Sequence, residues 1–131
     1  MNRLTNCQAE EFAVGEIDGV VSFAAGQSSF MGKIDSQGLH RFRSVRLDTF
    51  CREAIPPTLI KIDVEGAELA VLTGGASTLR KHRPNILLAT HSAELHEACR
   101  DFLNALDYRV SELANDELIA LPFTATTAPH A

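Results

Sequence analysis

The stretch that decides the fold is Leu59-Ile60-Lys61-Ile62-Asp63-Val64-Glu65-Gly66-Ala67-Glu68-Leu69. Apolar and charged residues alternate through its first half, and this period of two predicts a strand over residues 58–64. After Glu65 the apolar residues recur at intervals of three and four, which predicts a helix extending to about Thr73. We therefore expect a strand that leads into a helix, with acidic residues at the junction.

Acidic residues at this junction are the first candidates for a functional site. Asp63 would lie at the carboxyl end of the strand, where open α/β sheets bind ligands, and could orient a substrate hydroxyl or accept its proton. Alternatively, it caps the following helix. Glu65 and Glu68 lie three apart on one helix face and, with Asp63, could bind substrate or a divalent metal. Alternatively, the two glutamates only offset the helix dipole. Lys61 shares a face with Asp63 and is the expected ion-pair partner.

A second strand is expected over residues 85–90, and His91 follows it. Because neighbouring parallel strands end side by side, His91 is expected near Asp63, as a general base or a metal ligand. A structural role beside the helix cap at Ser92 is the alternative. The remaining histidines have no comparable placement and are expected at the surface: His40, His82, His96 and His130.

The remaining patterns predict alternating strands and helices, which indicates the α/β class. In the amino-terminal part we expect a hairpin over residues 11–25, a loop over 26–43 and a short strand over 44–47. Asp48 is expected to cap a helix over 49–54. The Gly74-Gly75 pair is expected to stop the helix that follows the first strand. Two further helices and a terminal hairpin are expected over 77–82, 93–106, 108–113 and 117–121.

Composition restricts the class of protein. The 131 residues carry a net charge of −5, with 45% hydrophobic and 22% charged residues, which predicts one globular domain over 1–122 and a disordered tail over 123–131. There is no long basic run to bind nucleic acid and no apolar run of membrane-spanning or signal-peptide length, so a cytoplasmic location is expected. The cysteines are few, odd in number and far apart, which predicts reduced thiols: Cys7, Cys51 and Cys99.

Residues 60–68, which read IKIDVEGAE, resemble the signature of the FkbM family of S-adenosylmethionine-dependent methyltransferases. Other segments resemble further motifs of that family: Ala13–Gly19, Val45–Asp48, Leu72, Gly74, Leu79, Arg83-Pro84 and Ile86–His91. The resemblance extends over most of residues 9–121. It therefore covers nearly the whole predicted domain.

The resemblance implies a Rossmann-like sheet of the class I methyltransferases, ending in an antiparallel hairpin. It implies methyl transfer to a hydroxyl of a small molecule, on a sugar, a lipid or a natural product. S-adenosylmethionine would be the cofactor, with the backbone of Ala13 and Val14 against its adenine. Asp63 and His91 would then be the catalytic residues, and a divalent metal remains open.

The chain also departs from the family pattern. No segment resembles the family's cofactor-binding turn, DVGANxG, or the acidic residue that ends its next strand. Ala89 replaces a glutamate common among relatives, and Asp107-Tyr108 stands where Gly-Tyr is usual. The chain therefore resembles the carboxyl-terminal two-thirds of such an enzyme, with a truncated sheet.

A truncated sheet would leave the strand over residues 58–64 with an open edge, which invites a second copy or a partner chain. Three hypotheses follow: a truncated FkbM-type methyltransferase, a non-catalytic remnant or half of a split enzyme, and a binding domain of the response-regulator kind with Asp63 as acceptor. The third is the least supported, because the acidic pair and the lysine of that class are not evident.

Overall fold

The computed structural model describes residues 4–23 and 40–124, which form a mixed α/β fold with two small sheets. The strands are β1 Ala13–Gly15, β2 Gly19–Phe23, β3 His40–Arg46, β4 Leu59–Ile62, β5 Asn85–Ala89, β6 Tyr108–Glu112 and β7 Glu117–Pro122. The helices are α1 Leu47–Phe50, α2 Glu68–Gly74, α3 Ala76–His82 and α4 Ala93–Ala105. The predicted tail, apart from its first two residues, lies outside the described residues.

The larger sheet has the strand order β4-β5-β7-β6. Strands β4 and β5 run parallel, with Ile62 opposite Leu88, and the other two pairings are antiparallel. The predicted terminal hairpin is therefore confirmed, and its turn contains Asn115 and Asp116, which both have positive φ angles. In the part of the chain that the structure describes, β5 is the sole neighbour of β4, so the other edge of β4 is open.

The smaller sheet corrects the predicted hairpin over residues 11–25. Strand β3 lies between β1 and β2, parallel to β1 and antiparallel to β2, so β1 and β2 do not pair with each other. The predicted loop is also partly wrong, because residues 40–43 belong to β3. These residues alternate cationic and aromatic or polar groups and are exposed, so they carry no apolar period. The rest of that loop lies outside the described residues.

The junction between β4 and α2 is longer than predicted. Strand β4 ends at Ile62 and α2 begins at Glu68, with Glu65 and Gly66 at φ angles of 50° and 111°. Two successive residues with left-handed φ cannot continue a helix, so they delay its start. Glu65 therefore precedes the helix, and the prediction that it shares a helix face with Glu68 is wrong.

Side chains from α2, α4 and the larger sheet form one hydrophobic core. Leu72, Leu88, Leu103 and Leu118 are among its fully buried members. The buried Tyr108 donates its hydroxyl to the carbonyl oxygen of Leu79 at 3.2 Å. This core fixes the orientation of α2 and α4 relative to the ends of β4 and β5.

Gly74 packs α2 against the smaller sheet, and the buried Asp48 connects α1 to α3. Helix α2 ends at Gly74, as predicted, and a Cβ there would collide with the carbonyl oxygen of Gly15 in β1. Asp48 does not cap its own helix. Its buried carboxylate accepts hydrogen bonds from the backbone N–H groups of Thr78 at 2.8 Å and Ser77 at 3.2 Å, in the first turn of α3. The aspartate therefore caps the neighbouring helix instead.

The structure also bears on the predicted free thiols and on the search for a membrane-spanning segment. Cys7 is exposed and Cys51 and Cys99 are buried, and all three are free thiols. Within the described residues, no helix has the length and apolar character needed to cross a membrane.

Candidate functional site

The carboxyl ends of β4 and β5 bring together three side chains that the sequence singled out. Asp63 directly follows β4, and His91 follows β5 by two residues. Because these strands are parallel and neighbours, their ends lie at the same edge of the sheet. Glu68, the first residue of α2, completes the group. The prediction that Asp63 and His91 lie close together is confirmed by this geometry.

His91 lies between two carboxylates. Its Nδ1 is 2.5 Å from Oε1 of Glu68, and its Nε2 is 3.4 Å from Oδ1 of Asp63. The Glu68 side chain is 0% exposed, whereas the His91 side chain is 33% exposed and that of Asp63 is half exposed. The imidazole therefore connects a buried carboxylate to one that solvent, or a substrate, can reach.

Glu68 is the member of the group whose environment differs most from the sequence-based prediction. Its Oε1 also accepts the backbone N–H of Gly66 at 2.9 Å, while its buried Oε2 has no hydrogen-bond partner among the described residues. Burying a carboxylate is costly, and offsetting the helix dipole would not require it. A signal was present, because Glu68 lies three and four residues before the buried Val71 and Leu72, on the apolar face of the helix.

The hydrogen bond with Glu68 raises the pKa of His91 above its usual value, against the opposing effect of partial burial. The charges of Glu68, Glu65 and Asp63 raise the pKa further. The carboxylate also acts on Cys99: burial, and then the charge of Glu68, raises the pKa of that thiol to about 11. The site is therefore an acidic environment that favours the imidazolium form of His91.

Within the described residues, Lys61 does not form the predicted ion pair with Asp63, and the predicted acidic metal set does not assemble. His91, rather than Lys61, is the ion-pair partner that the structure gives Asp63. Glu65 is exposed in the turn before α2. Across residues 4–23 and 40–124 there is no group of three or more histidine, cysteine, aspartate or glutamate side chains arranged to hold a metal ion. The proposed set of Asp63, Glu65 and Glu68 is therefore not such a group.

Ala13 and Val14 lie in β1, where they pair with Ser44 and Val45 of β3, and Val14 packs against the core. Both are half-buried. S-adenosylmethionine needs polar partners for its amino, carboxylate and ribose groups in addition to a contact for its adenine. The described residues offer at most the adenine contact at this position, so they do not fit the complete cofactor.

A cavity of about 610 Å³ adjoins His91 at the amino end of α4. Its lining consists of Thr90, His91, Ser92, Ala93, His96, Glu97 and Asp116. His96, which was expected at the surface, is mostly buried, and its Nδ1 lies 2.8 Å from the hydroxyl of Thr90. That hydroxyl donates to the backbone oxygen of Asp116 at 2.9 Å, so the wall of the cavity is fixed. Ser92 caps α4 as predicted, accepting the N–H of Leu95.

Comparison with known proteins identifies the family. A model of the Methyltransferase FkbM domain matches residues 7–110. Among solved structures, the chain is similar to a crystal structure of methyltransferase FkbM from Methylobacillus flagellatus KT, with a TM-score of 0.52 and 20% sequence identity. The similar region covers 62% of this chain and 23% of that one, so the present chain matches less than a quarter of that protein. No curated protein gives a significant match.

The structural likeness by itself indicates a similar fold. The match to the domain model shows the family as well as the fold. It extends from the segment before β1 into β6 and includes both strand ends that form the site. Since this match covers well over half of the residues, the chain belongs to the FkbM methyltransferase family.

Proposed function

We propose that this chain forms the acceptor-binding part of an S-adenosylmethionine-dependent O-methyltransferase. The observation that carries the proposal is the placement of His91 Nε2 opposite Asp63, 3.4 Å apart, at the carboxyl ends of two parallel strands. Membership of the FkbM family supports methyl transfer as the reaction. S-adenosylmethionine would supply the methyl group when bound.

The side chains present suit the activation of a hydroxyl group. Asp63 accepts a hydrogen bond and orients the acceptor, while Nε2 of neutral His91 takes the hydroxyl proton. The O–H bond breaks, an Nε2–H bond forms, and the electron pair stays on the acceptor oxygen, which becomes more nucleophilic. The positive charge that develops on the ring is stabilised by Glu68 at Nδ1.

We infer the class of acceptor from the cavity that adjoins the site, whose lining includes His91 but not Asp63. Apart from the histidines, its charged lining residues are acidic, namely Glu97 and Asp116. Acidic walls disfavour phosphorylated or carboxylated compounds and favour neutral molecules with several hydroxyl groups. We therefore favour a neutral sugar, lipid headgroup or natural product over an anionic acceptor.

A second candidate is a non-catalytic remnant, or one half of a split enzyme. It is favoured by the edge of β4 that no strand of the described residues covers, where Leu59 is 58% exposed. We propose that the larger sheet is one side of a Rossmann-like sheet, and that a second copy or another polypeptide pairs with β4 and provides the cofactor contacts. A remnant would keep this pairing but would have lost the ability to bind an acceptor at His91.

Acceptor binding can be tested by NMR on the chain itself. The imidazole signals of His91 are followed during addition of neutral methyl glycosides, inositol and glycerol monoesters, with glucose 6-phosphate as the anionic comparison. We expect a saturable shift with a neutral compound, weakened by Asp63→Asn but not by the control Asp101→Asn on the exposed side of α4. The absence of any saturable shift, or an unchanged shift in Asp63→Asn, would contradict the proposal.

A further inference from the structure

The carboxylate of Glu68 has an environment that a purely structural role does not explain. It is fully buried, and one of its oxygens has no hydrogen-bond partner within residues 4–23 and 40–124. The side chain does not cap its own helix, of which it is the first residue. Its other oxygen receives the N–H of Gly66 and faces Nδ1 of His91. A buried, half-satisfied carboxylate destabilises a fold unless a cation compensates for it.

Among the described residues, His91 is the group that can donate a proton to Glu68 and, when protonated, compensate its charge. The charged groups that act on this imidazole come from the turn after β4 and from the start of α2, and all are acidic: Asp63, Glu65 and Glu68. Of these, only Glu68 is both buried and within hydrogen-bond distance of a ring nitrogen. Its position therefore determines which nitrogen carries the proton and where the other one points.

We propose that Glu68 is a positioning residue, which holds His91 as the Nδ1-protonated tautomer and aims the unprotonated Nε2 at the space beside Asp63. A carboxylate oxygen only accepts hydrogen bonds, so Nδ1–H is the donor in the pair. The ring cannot rotate by a half-turn without losing this bond, which would leave the N–H of Gly66 as the one donor that the described residues give the Glu68 carboxylate. The inference deepens the proposed function, on which it rests for the role of Nε2.

The tautomer is measured first in the unmodified protein. Long-range ¹H–¹⁵N correlation spectra, recorded above the pH at which His91 loses its charge, identify the protonated nitrogen directly. We expect Nδ1 to carry the proton and Nε2 to be free. A predominant Nε2–H tautomer, or exchange between the two tautomers, would overturn the proposal, and this measurement needs no substitution that might unfold the chain.

Variants then distinguish positioning from packing. Glu68→Gln keeps the size and the acceptor for Gly66 but removes the charge, so the titration midpoint of His91 should shift to lower pH and the tautomer preference should weaken. Glu68→Asp keeps the charge and should retain the Nδ1–H preference in part. Glu94→Gln, on the exposed first turn of α4, is the matched control and should change neither. An unchanged midpoint in a folded Glu68→Gln variant would also overturn the proposal.

The two proposals can fail separately. If the tautomer is as expected but no hydroxyl compound shifts the His91 signals, the positioning role stands and the acceptor-binding function fails. If a hydroxyl compound binds beside Asp63 while His91 has the opposite tautomer, the function stands and the role of Glu68 is overturned.

Discussion

At the scale of single residues, the site depends on charge that is buried next to charge that is exposed. Glu68 lies in the core, Asp63 is half exposed, and His91 connects them over distances of 2.5 and 3.4 Å. A proton taken up at Nε2 is therefore stabilised from behind by a carboxylate that water does not screen. Such an arrangement favours proton uptake from a weakly acidic hydroxyl.

This pairing predicts a pH dependence of stability. Because the folded-state pKa of His91 is raised, the pair stabilises the protein fully below the unfolded value of about 6.5, and this contribution is lost as the pH rises through the raised pKa. Near pH 6, Glu68→Gln should lower the free energy of unfolding by about 1 kcal/mol, because the ring is partly exposed. The loss should shrink or reverse near pH 9, as followed by urea unfolding.

Urea unfolding of Glu94→Gln provides the reference, since that residue is exposed in the first turn of α4. Its difference from the unmodified protein should not change with pH over the same range. A Glu68→Gln deficit that grows toward alkaline pH would mean that the imidazolium does not stabilise the buried carboxylate.

A second prediction concerns Asp107, which directly precedes β6. Asp107 has a φ angle of 59°, in the left-handed region that costs a non-glycine residue energy. Asp107→Gly should therefore raise the free energy of unfolding by about 0.5 kcal/mol or more, since the hydrogen bond that the Asp107 carbonyl accepts from Arg83 is kept. Asp101→Gly, within α4, should instead lower it by about 1 kcal/mol. A destabilised Asp107→Gly would show that the aspartate side chain makes a compensating contact.

The sequence predicted the positions of residues that lie at the ends of strands. Asp63 and His91 could be placed because parallel neighbouring strands end at one edge, and this needs only the period of two. The burial of Glu68 could not be predicted with the same ease. It depends on the left-handed Glu65-Gly66 turn, which sets where α2 begins and therefore which face Glu68 occupies.

At the scale of elements, α2 positions the site at its first residue and contacts the smaller sheet at its last. Glu68 begins the helix beside His91, and Gly74 ends it against Gly15 of β1. A displacement at the Gly74 end would therefore tilt the helix that carries Glu68. The two sheets are coupled through these seven residues.

This contact predicts that Gly74→Ala is strongly destabilising. The added methyl group would collide with the backbone oxygen of Gly15, which cannot move without breaking the pairing of β1, so we expect a loss of about 3 kcal/mol or more. Gly75→Ala is the matched comparison, because its methyl group would meet the flexible side chain of Leu47 and should cost less. Thermal and urea unfolding measure both; equal losses would contradict the packing argument.

The type of an element could be predicted where the local sequence pattern determines it. The pairing of strands could not be predicted where distant residues determine it. The β6–β7 hairpin follows from two short strands and a turn of Asn115 and Asp116. The hairpin over 11–25 has the same local signals, yet β3 separates its strands by pairing with both. Asp48 likewise caps a helix that begins 28 residues later, at Ala76, a contact that no local pattern contains.

At the scale of the whole molecule, the edge of β4 that no described strand covers is the feature that we expect to limit independent function most. A strand edge of this kind, with the exposed side chain of Leu59 on it, is expected to pair readily with another strand. We therefore expect concentration-dependent self-association in sedimentation velocity experiments, reduced by Leu59→Lys. Ile55→Lys, at an exposed position outside the strands, should leave association unchanged. A chain that is monomeric at all concentrations would contradict this expectation.

The central claim is that the chain carries the acceptor side of a methyltransferase site without a complete cofactor site. The most direct test is calorimetric titration of the 131-residue chain with S-adenosylhomocysteine, with circular dichroism to establish that the chain is folded. The account predicts no binding up to millimolar ligand by the folded chain alone. Micromolar binding would contradict it, because the residues present would then form a cofactor pocket, within one chain or across a dimer.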